Sequence, residues 1–342
     1  MAIFSQVLKC GIVAGLALAM HTMAAPASPD EWRRDWPRTD FSRHSVAFAE
    51  IRSGGPPKDG IPSIDQPRFE PLVAGKATGW PAQIADNEPV IGLSVGGDAR
   101  AYPLRILIWH EIVNDTVGGT PVAVTYCPLC NAALVFERRL GERVLDFGTT
   151  GKLRNSDLVM YDRQTESWWQ QFSGEAIVGE LTGKGLKLVP SRLESFARFR
   201  ARFPNGKVLV PSDSGARPYG ANPYVGYDAI GTLPFLYQGA MPEGIDPMER
   251  VVAVEVEPGK HEAWALELLR RQGEIRRGDL MLRWEPGQAS VLDRPDLTAG
   301  RDVGNVVVQR QVGDKLQDVA YDLPFAFAFY AFRPKATIHR AR

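Results

Sequence analysis

This chain has no excess of positive or negative charge, and it has few histidines and cysteines. The 342 residues carry 40 basic and 40 acidic side chains, so no concentrated basic face is expected. Nucleic-acid and anionic-membrane binding depend on such a face and are not expected. A nucleophile elbow, a phosphate-binding loop and the paired histidines of zinc proteases are also missing, so no nucleotide cofactor is expected.

Apolar runs long enough for a membrane helix are missing as well. The first residues carry Lys9, an apolar run from Cys10 to Met20 and small residues near Ala24. This pattern predicts a signal peptide cleaved near Ala24, because the run is too short to span a bilayer. We therefore expect a periplasmic or secreted protein without a membrane span, in a compartment that permits disulfides.

The order of segments recurs in the two halves of the chain. "VIGLSV" and "AYPLRIL" match "VVAVEV" and "AWALELL", and "VAVTYCPLCNAALVF" matches "LMLRWEPGQASVLD". Cys127 falls on Glu285 and Cys130 on Gln288, so the second copy keeps the pattern without the thiols. We expect two degenerate tandem copies of one β-rich unit, with any chemistry in the first.

Alternating and β-branched runs predict a mainly β fold with a few helices (α+β), one at the end of each copy. "PVIGLSVGGDARAYPL" predicts a hairpin that turns at Gly96 and Gly97, and "ALVFERRLGERVLDFG" one that turns near Gly141. Helices are predicted in "SRLESFARFRARFPNG", where Ser191 and Glu194 would form a capping box, and in "HEAWALELLRRQG".

Five parts are predicted along the chain. They are a signal peptide (1–24), an N-terminal extension packed on the core (25–87), the first repeat unit (88–210), a connecting segment (211–248) and the second, degenerate unit (249–342). The connecting segment is rich in Gly, Pro and Tyr. It is either a linker or a long ordered loop over a cleft.

Cys127 and Cys130 form a C-P-L-C motif. A thioredoxin-type C-x-x-C opens a helix, but the sequence after Cys130 has hairpin character, so a tight turn between strands is expected. Asn131 tolerates positive φ, at the place where metal-binding knuckles usually have glycine. Covalent c-type haem attachment requires histidine at that place, so no covalent haem is expected.

A single knuckle supplies two metal ligands and needs others. His110 is the best third ligand because it is near in sequence, His44 is the next choice, and Met160 would add a thioether. Two thiolates with imidazole or thioether suit copper or zinc. A static disulfide and a thiol-disulfide exchange centre stay open as alternatives.

Polar and aromatic side chains are dense after the cysteines. They form either a solvated turn with aromatic anchors or the wall of a ligand pocket, in which carboxylates orient the ligand and tryptophans exclude water. The residues concerned are Asn155, Asp157, Asp162, Arg163, Trp168 and Trp169.

Four blocks together resemble one family, the uncharacterised exported group labelled domain of unknown function 3179. They are "SGGPPKDGIPSIDQPRF", "WHEIVNDTVGGTPVAVTYCPLCNAALVF", "LRNSDLVMYDRQTESWWQQFSGEAIVG" and "NPYVGYD". The resemblance implies no established activity. It implies that residues in these blocks form a site, among them His110, Cys127, Cys130, Asn155 and Asp157.

Three functions follow from these patterns. The first is an exported soft-metal protein, copper before zinc, which would be an oxidoreductase if one coordination position is open and a metal carrier if the site is closed. The second is a periplasmic thiol-disulfide oxidoreductase. The third is a non-catalytic binding module for a small molecule or an exported protein partner, with a structural disulfide.

Overall fold

Residues 29–341 are described by a computed structural model of the chain. The predicted signal peptide, residues 1–24, lies outside the described residues. Within residues 29–341, no helix is long and apolar enough to cross a membrane.

Short helices separate the strands. The five α-helices of residues 29–341 are α1 (Pro29–Trp32), α2 (Leu104–His110), α3 (Phe196–Arg202), α4 (Leu266–Gln272) and α5 (Ala326–Phe332). Three 3-10 turns lie at Phe48–Glu50, Trp80–Gln83 and Leu297–Ala299.

Strands make up most of the ordered structure in this part of the chain. Strands β1 to β8 are Ile51–Ser53, Arg68–Pro71, Pro89–Val95, Asp98–Pro103, Ile112–Val117, Thr120–Cys127, Ala132–Glu137 and Arg139–Leu140. Strands β9 to β16 are Arg143–Val144, Phe147–Arg154, Asp157–Asp162, Trp168–Gln170, Glu175–Val178, Lys187–Leu188, Arg192–Ser195 and Lys207–Val210. Strands β17 to β24 are Val251–Glu257, Lys260–Ala265, Glu274–Arg277, Leu280–Glu285, Asn305–Val312, Lys315–Asp318, Tyr321–Asp322 and Thr337–His339.

The strands form five sheets of four or five strands, in an arrangement that resembles a five-bladed β-propeller. Sheet 1 has the order β15-β3-β4-β16-β2, sheet 2 β14-β7-β6-β5 and sheet 3 β1-β10-β11-β12-β13. Sheet 4 has the order β23-β17-β18-β24 and sheet 5 β19-β20-β21-β22, while β8 and β9 form a separate small hairpin. The predicted mainly β fold with a few helices is therefore confirmed.

The prediction of two tandem copies was wrong, because five blade-like sheets make up the described part of the chain. The recurring segments instead mark individual sheets with similar strand order. In sheet 1 the hairpin β3–β4 gains the parallel strand β16, and in sheet 4 the hairpin β17–β18 gains the parallel strand β24. The recurring sequence segments therefore reflect the similar strand order of sheets 1 and 4 and not a duplication of half the chain.

The hairpin at Gly96 and Gly97 is confirmed, since both glycines have positive φ between β3 and β4. The predicted capping box at Ser191 was wrong. Its residues extend into β15, which pairs with β3, and α3 begins only at Phe196. "HEAWA" is likewise in strand β18, and α4 begins at Leu266. Cross-strand pairing decides both cases against local helix propensity.

The connecting segment, residues 211–248, contains no helix or strand but is anchored to the core. The fully buried carboxylate of Asp228 accepts hydrogen bonds from Arg250 Nη2 at 3.0 Å and Arg301 Nη1 at 2.8 Å. Buried charges of this kind fix a segment in place, because breaking the pair leaves a charge without compensation. These contacts anchor the segment to the core at Asp228.

Candidate functional site

The C-P-L-C motif forms the turn between β6 and β7. Cys127 ends β6 and pairs with Ala132, the first residue of β7. Asn131 has a φ of 53°, and its side chain donates to the Leu323 carbonyl oxygen at 2.7 Å. The tight turn and the positive φ at Asn131 are both confirmed.

Both thiols are free and buried, and they face the turn between β10 and β11. Cys127 Sγ lies 3.9 Å from the Ser156 carbonyl oxygen, and Cys130 Sγ lies 4.0 Å from that of Asn155. Asn155 and Ser156 have φ values of 53° and 65°, the signs that a type I′ hairpin turn requires. Two hairpins from neighbouring sheets thus meet at their tips.

Asp157 follows the second turn and completes the group. One ligand atom from each of Cys127, Cys130 and Asp157 can be chosen so that all lie within 4.8 Å of one another. Asp157 Oδ2 accepts hydrogen bonds from Gln170 Nε2 at 2.6 Å and from the Phe172 amide at 2.9 Å. Asp157 Oδ1 is buried and has no hydrogen-bond partner among residues 29–341. We call this group the dithiol–carboxylate centre.

The surroundings of the centre are acidic and apolar. Burial raises the pKa of Asp157 to about 7. Burial also raises the pKa of each of the two thiols above the ordinary value for cysteine. Burial also raises the pKa of Glu111 to about 8, and the nearby Asp157 adds to this shift. Apolar burial favours the protonated form of each group, so the thiols of the metal-free centre hold their protons near neutral pH, where Asp157 titrates.

Glu111 is a site residue that the sequence reasoning missed. It ends α2 with a φ of 58°, and its carbonyl oxygen accepts a hydrogen bond from the Tyr126 amide at 2.8 Å, next to Cys127. Glu111 is buried and lines a cavity beside the centre. The available signal was a lone carboxylate between the apolar runs of "LRILIWHEIV".

The structure does not bring the two predicted histidine ligands into the group. The ring nitrogens of His110 lie 2.8 Å from the Pro62 carbonyl oxygen and 2.9 Å from the Tyr219 hydroxyl, and burial lowers the pKa of His110. His44 is exposed in the N-terminal residues, where it forms an isolated bridge with Val178 at the end of β13. Nearness in sequence to the cysteines therefore does not identify the third side chain of the cluster.

Asp162, Trp169 and Met160 have contacts within the core. Asp162 Oδ2 accepts a hydrogen bond from Trp169 Nε1 at 2.9 Å, and Asp162 Oδ1 accepts one from the Thr165 amide at 2.6 Å. Met160 is fully buried in the main apolar cluster. These contacts stabilise sheet 3 without requiring a ligand.

Trp168 in β12 and Arg163, which follows β11, contact the N-terminal residues. Trp168 packs against Trp32 and Trp36, with ring centroids 5.0 Å and 5.2 Å away. Arg163 Nη1 donates to Asp59 Oδ2 at 3.1 Å. Both side chains hold the N-terminal residues against the sheet.

A mainly β, propeller-like fold with a buried dithiol–carboxylate centre defines the class of this protein. The chain belongs to the family described as Protein of unknown function (DUF3179), which matches residues 58–336. The resemblance seen in the sequence is thereby confirmed. No curated protein and no solved structure matches the chain.

Proposed function

We propose that this chain is an exported metal-binding protein that holds one zinc ion at Cys127, Cys130 and Asp157. The observation that carries the proposal is the convergence of the three donor groups within 4.8 Å, with Asp157 Oδ1 buried and unpartnered among residues 29–341. A buried oxygen without a partner is costly, and a bound cation would remove that cost.

The spacing is compatible with zinc. Bond lengths of about 2.3 Å to sulfur and about 2.0–2.2 Å to oxygen place tetrahedral ligands about 3–4 Å apart. The three donors need only a small inward movement to reach that spacing. Once deprotonated they carry three negative charges in an apolar setting, and a divalent cation offsets most of that charge.

The third donor favours zinc over copper. Copper(I) prefers thiolate and thioether ligands, whereas zinc accepts thiolate together with carboxylate. Asp157 in place of the expected His110 therefore reverses the order of metals proposed from the sequence. Three protein ligands leave a fourth position, as in catalytic zinc sites, so the centre supports catalysis as well as metal carriage.

A redox dithiol is the second candidate. The observation in its favour is the buried carboxyl of Asp157, whose pKa of about 7 suits it to accept a thiol proton. Oxidation of the two thiols to a disulfide would reduce one external disulfide to two thiols. The exposed fractions of Cys127 and Cys130 are 1% and 0%, which disfavours direct attack on a protein substrate.

Metal content and thiol titration test the proposal on protein purified anaerobically from its native compartment. We expect about one zinc per chain, no zinc in the Cys127→Ser, Cys130→Ser double variant, and reduced zinc in Asp157→Asn. His110→Ala is the matched control and should retain the metal, because its ring nitrogens already have partners. Metal-free protein with an oxidised cysteine pair would refute the zinc centre and favour the redox candidate.

A further inference from the structure

A cavity of about 290 Å³ lies beside the dithiol–carboxylate centre. Two of its lining residues are chain neighbours of the centre, and a third is hydrogen-bonded to the residue before Cys127. Leu129 lies between the two cysteines, Leu158 follows Asp157, and Glu111 hydrogen-bonds through its backbone to Tyr126. The cavity and the centre therefore share one wall.

Most of the cavity wall is apolar and part of it is open to solvent. The apolar lining includes Ile61, Leu153, Leu158 and Phe235. Phe235 is 46% exposed, so an aromatic ring borders both the cavity and the solvent. An engineered cavity of about 150 Å³ is enough for benzene, so this volume accommodates a substituted aromatic ring or a branched aliphatic molecule.

The polar groups of the cavity fall into two sets. The hydroxyl of Tyr227 is occupied, since it donates to the Leu129 carbonyl oxygen at 3.1 Å and accepts from the Phe235 amide at 3.1 Å. The ammonium group of Lys152 lies 5.3 Å from the centre of the Trp32 ring, which places a cation–π contact outside the cavity. The Tyr227 hydroxyl is therefore occupied, and the Lys152 ammonium faces the Trp32 and Trp168 rings, neither of which lines the cavity.

Glu111 and Tyr224 form the second set. Among residues 29–341, neither the Glu111 carboxyl nor the Tyr224 hydroxyl has a hydrogen-bond partner, although Glu111 is only 7% exposed. Both residues line the cavity, and burial followed by the nearby Glu111 raises the pKa of Tyr224, so the two side chains lie near each other. A carboxyl group without a protein partner in a mainly apolar cavity is typical of a site whose ligand supplies the missing hydrogen bond.

We infer that this cavity binds a small, mainly apolar alcohol, whose hydroxyl donates to Glu111 and accepts from Tyr224. An alcohol fits because a single hydroxyl both donates and accepts. The inference goes beyond the proposed zinc centre and does not require it, since neither Glu111 nor Tyr224 is among the three proposed ligands.

The inference can be tested by NMR titration of the full chain with two probes, 2-phenylethanol and ethylbenzene, of which only the first has a hydroxyl. Each titration is run once with chelator and once with one equivalent of zinc. We expect wild-type protein to bind 2-phenylethanol about tenfold more tightly than ethylbenzene. Tyr224→Phe should reduce that preference severalfold, and Glu111→Leu should abolish it. Absence of saturable binding, or an equal affinity for both probes, would overturn the inference.

A cavity-filling variant tests the location independently of Glu111. Leu153→Trp should abolish binding of both probes, because the indole occupies the cavity from strand β10. Leu316→Trp, at a side chain that is 40% exposed on β22, is the matched control and should bind as the wild type does. Unchanged binding in Leu153→Trp would place the ligand elsewhere and refute the site. If the wild-type protein binds the probes but does not bind zinc, the proposed metal centre is refuted and the cavity inference stands.

Discussion

The free energy of unfolding of the metal-free protein should fall as pH rises, and Asp157→Asn should remove one distinct part of that fall. Burial raises the pKa of Asp157 from its ordinary value of 3.8 to about 7 in the folded chain. Between those values the unfolded chain loses the proton while the folded chain keeps it. The folded state therefore binds more protons, and its stability decreases with pH across this window.

The magnitude follows from the width of the window. Each unit of pKa difference corresponds to about 1.4 kcal/mol, so a shift of roughly three units costs the folded state about 4 kcal/mol by neutral pH. This stability is fully present below about pH 4 and is lost as pH rises through 7. Glu111 and Asp322 add a further slope, because burial raises their pKa values to about 8 and about 7.

Bound zinc should reverse the trend. Zinc requires deprotonated thiols and carboxylate, so its affinity, and the stabilisation it gives, grow with pH. Urea unfolding followed by tryptophan fluorescence between pH 4.5 and 8.5, with chelator and with buffered zinc, would measure both slopes. Asp314→Asn, at an exposed turn residue, is the matched control and should keep the wild-type slope. A wild-type slope in metal-free Asp157→Asn would refute the reasoning.

Three further substitutions test how the fold positions the site. Asp228→Asn should cost about 3–5 kcal/mol in urea unfolding, because it leaves the buried Arg250 without its counter-charge; a loss below about 1 kcal/mol would contradict this. Gly151→Ala should destabilise the cavity wall by more than about 1 kcal/mol, since φ is +70° and the new Cβ would lie 1.9 Å from the Pro56 carbonyl oxygen. Asn131→Val should lower both thermal stability and zinc content, because a β-branched residue disfavours a φ of 53°, whereas unchanged zinc content would show that the turn does not position the thiols.

Local features of the fold were predictable where neighbouring residues determine them. The glycine pair at 96 and 97 fixes a hairpin, and the C-P-L-C-N stretch fixes a turn, because positive φ is needed at defined positions. The starts of α3 and α4 were not predictable from helix propensity. Residues 192–195 pair with β3 and residues 262–264 pair with β24, and both pairings join strands distant in sequence that a local pattern does not reveal. The same limitation turned a similarity between two sheets into two predicted domains.

The composition of the site shows the limitation most clearly. His110 and Glu111 are adjacent in sequence, yet they face different surroundings because α2 ends between them. The positive φ of Glu111 redirects the chain, so that the His110 ring contacts Pro62 and Tyr219 while Glu111 lines the cavity beside the thiols. Asp157 reaches the cysteines from another sheet through a second hairpin tip. Residue type therefore correctly indicated a polar site around Cys127, but only the helix end and the meeting of two hairpins determine which acidic groups stand beside the thiols.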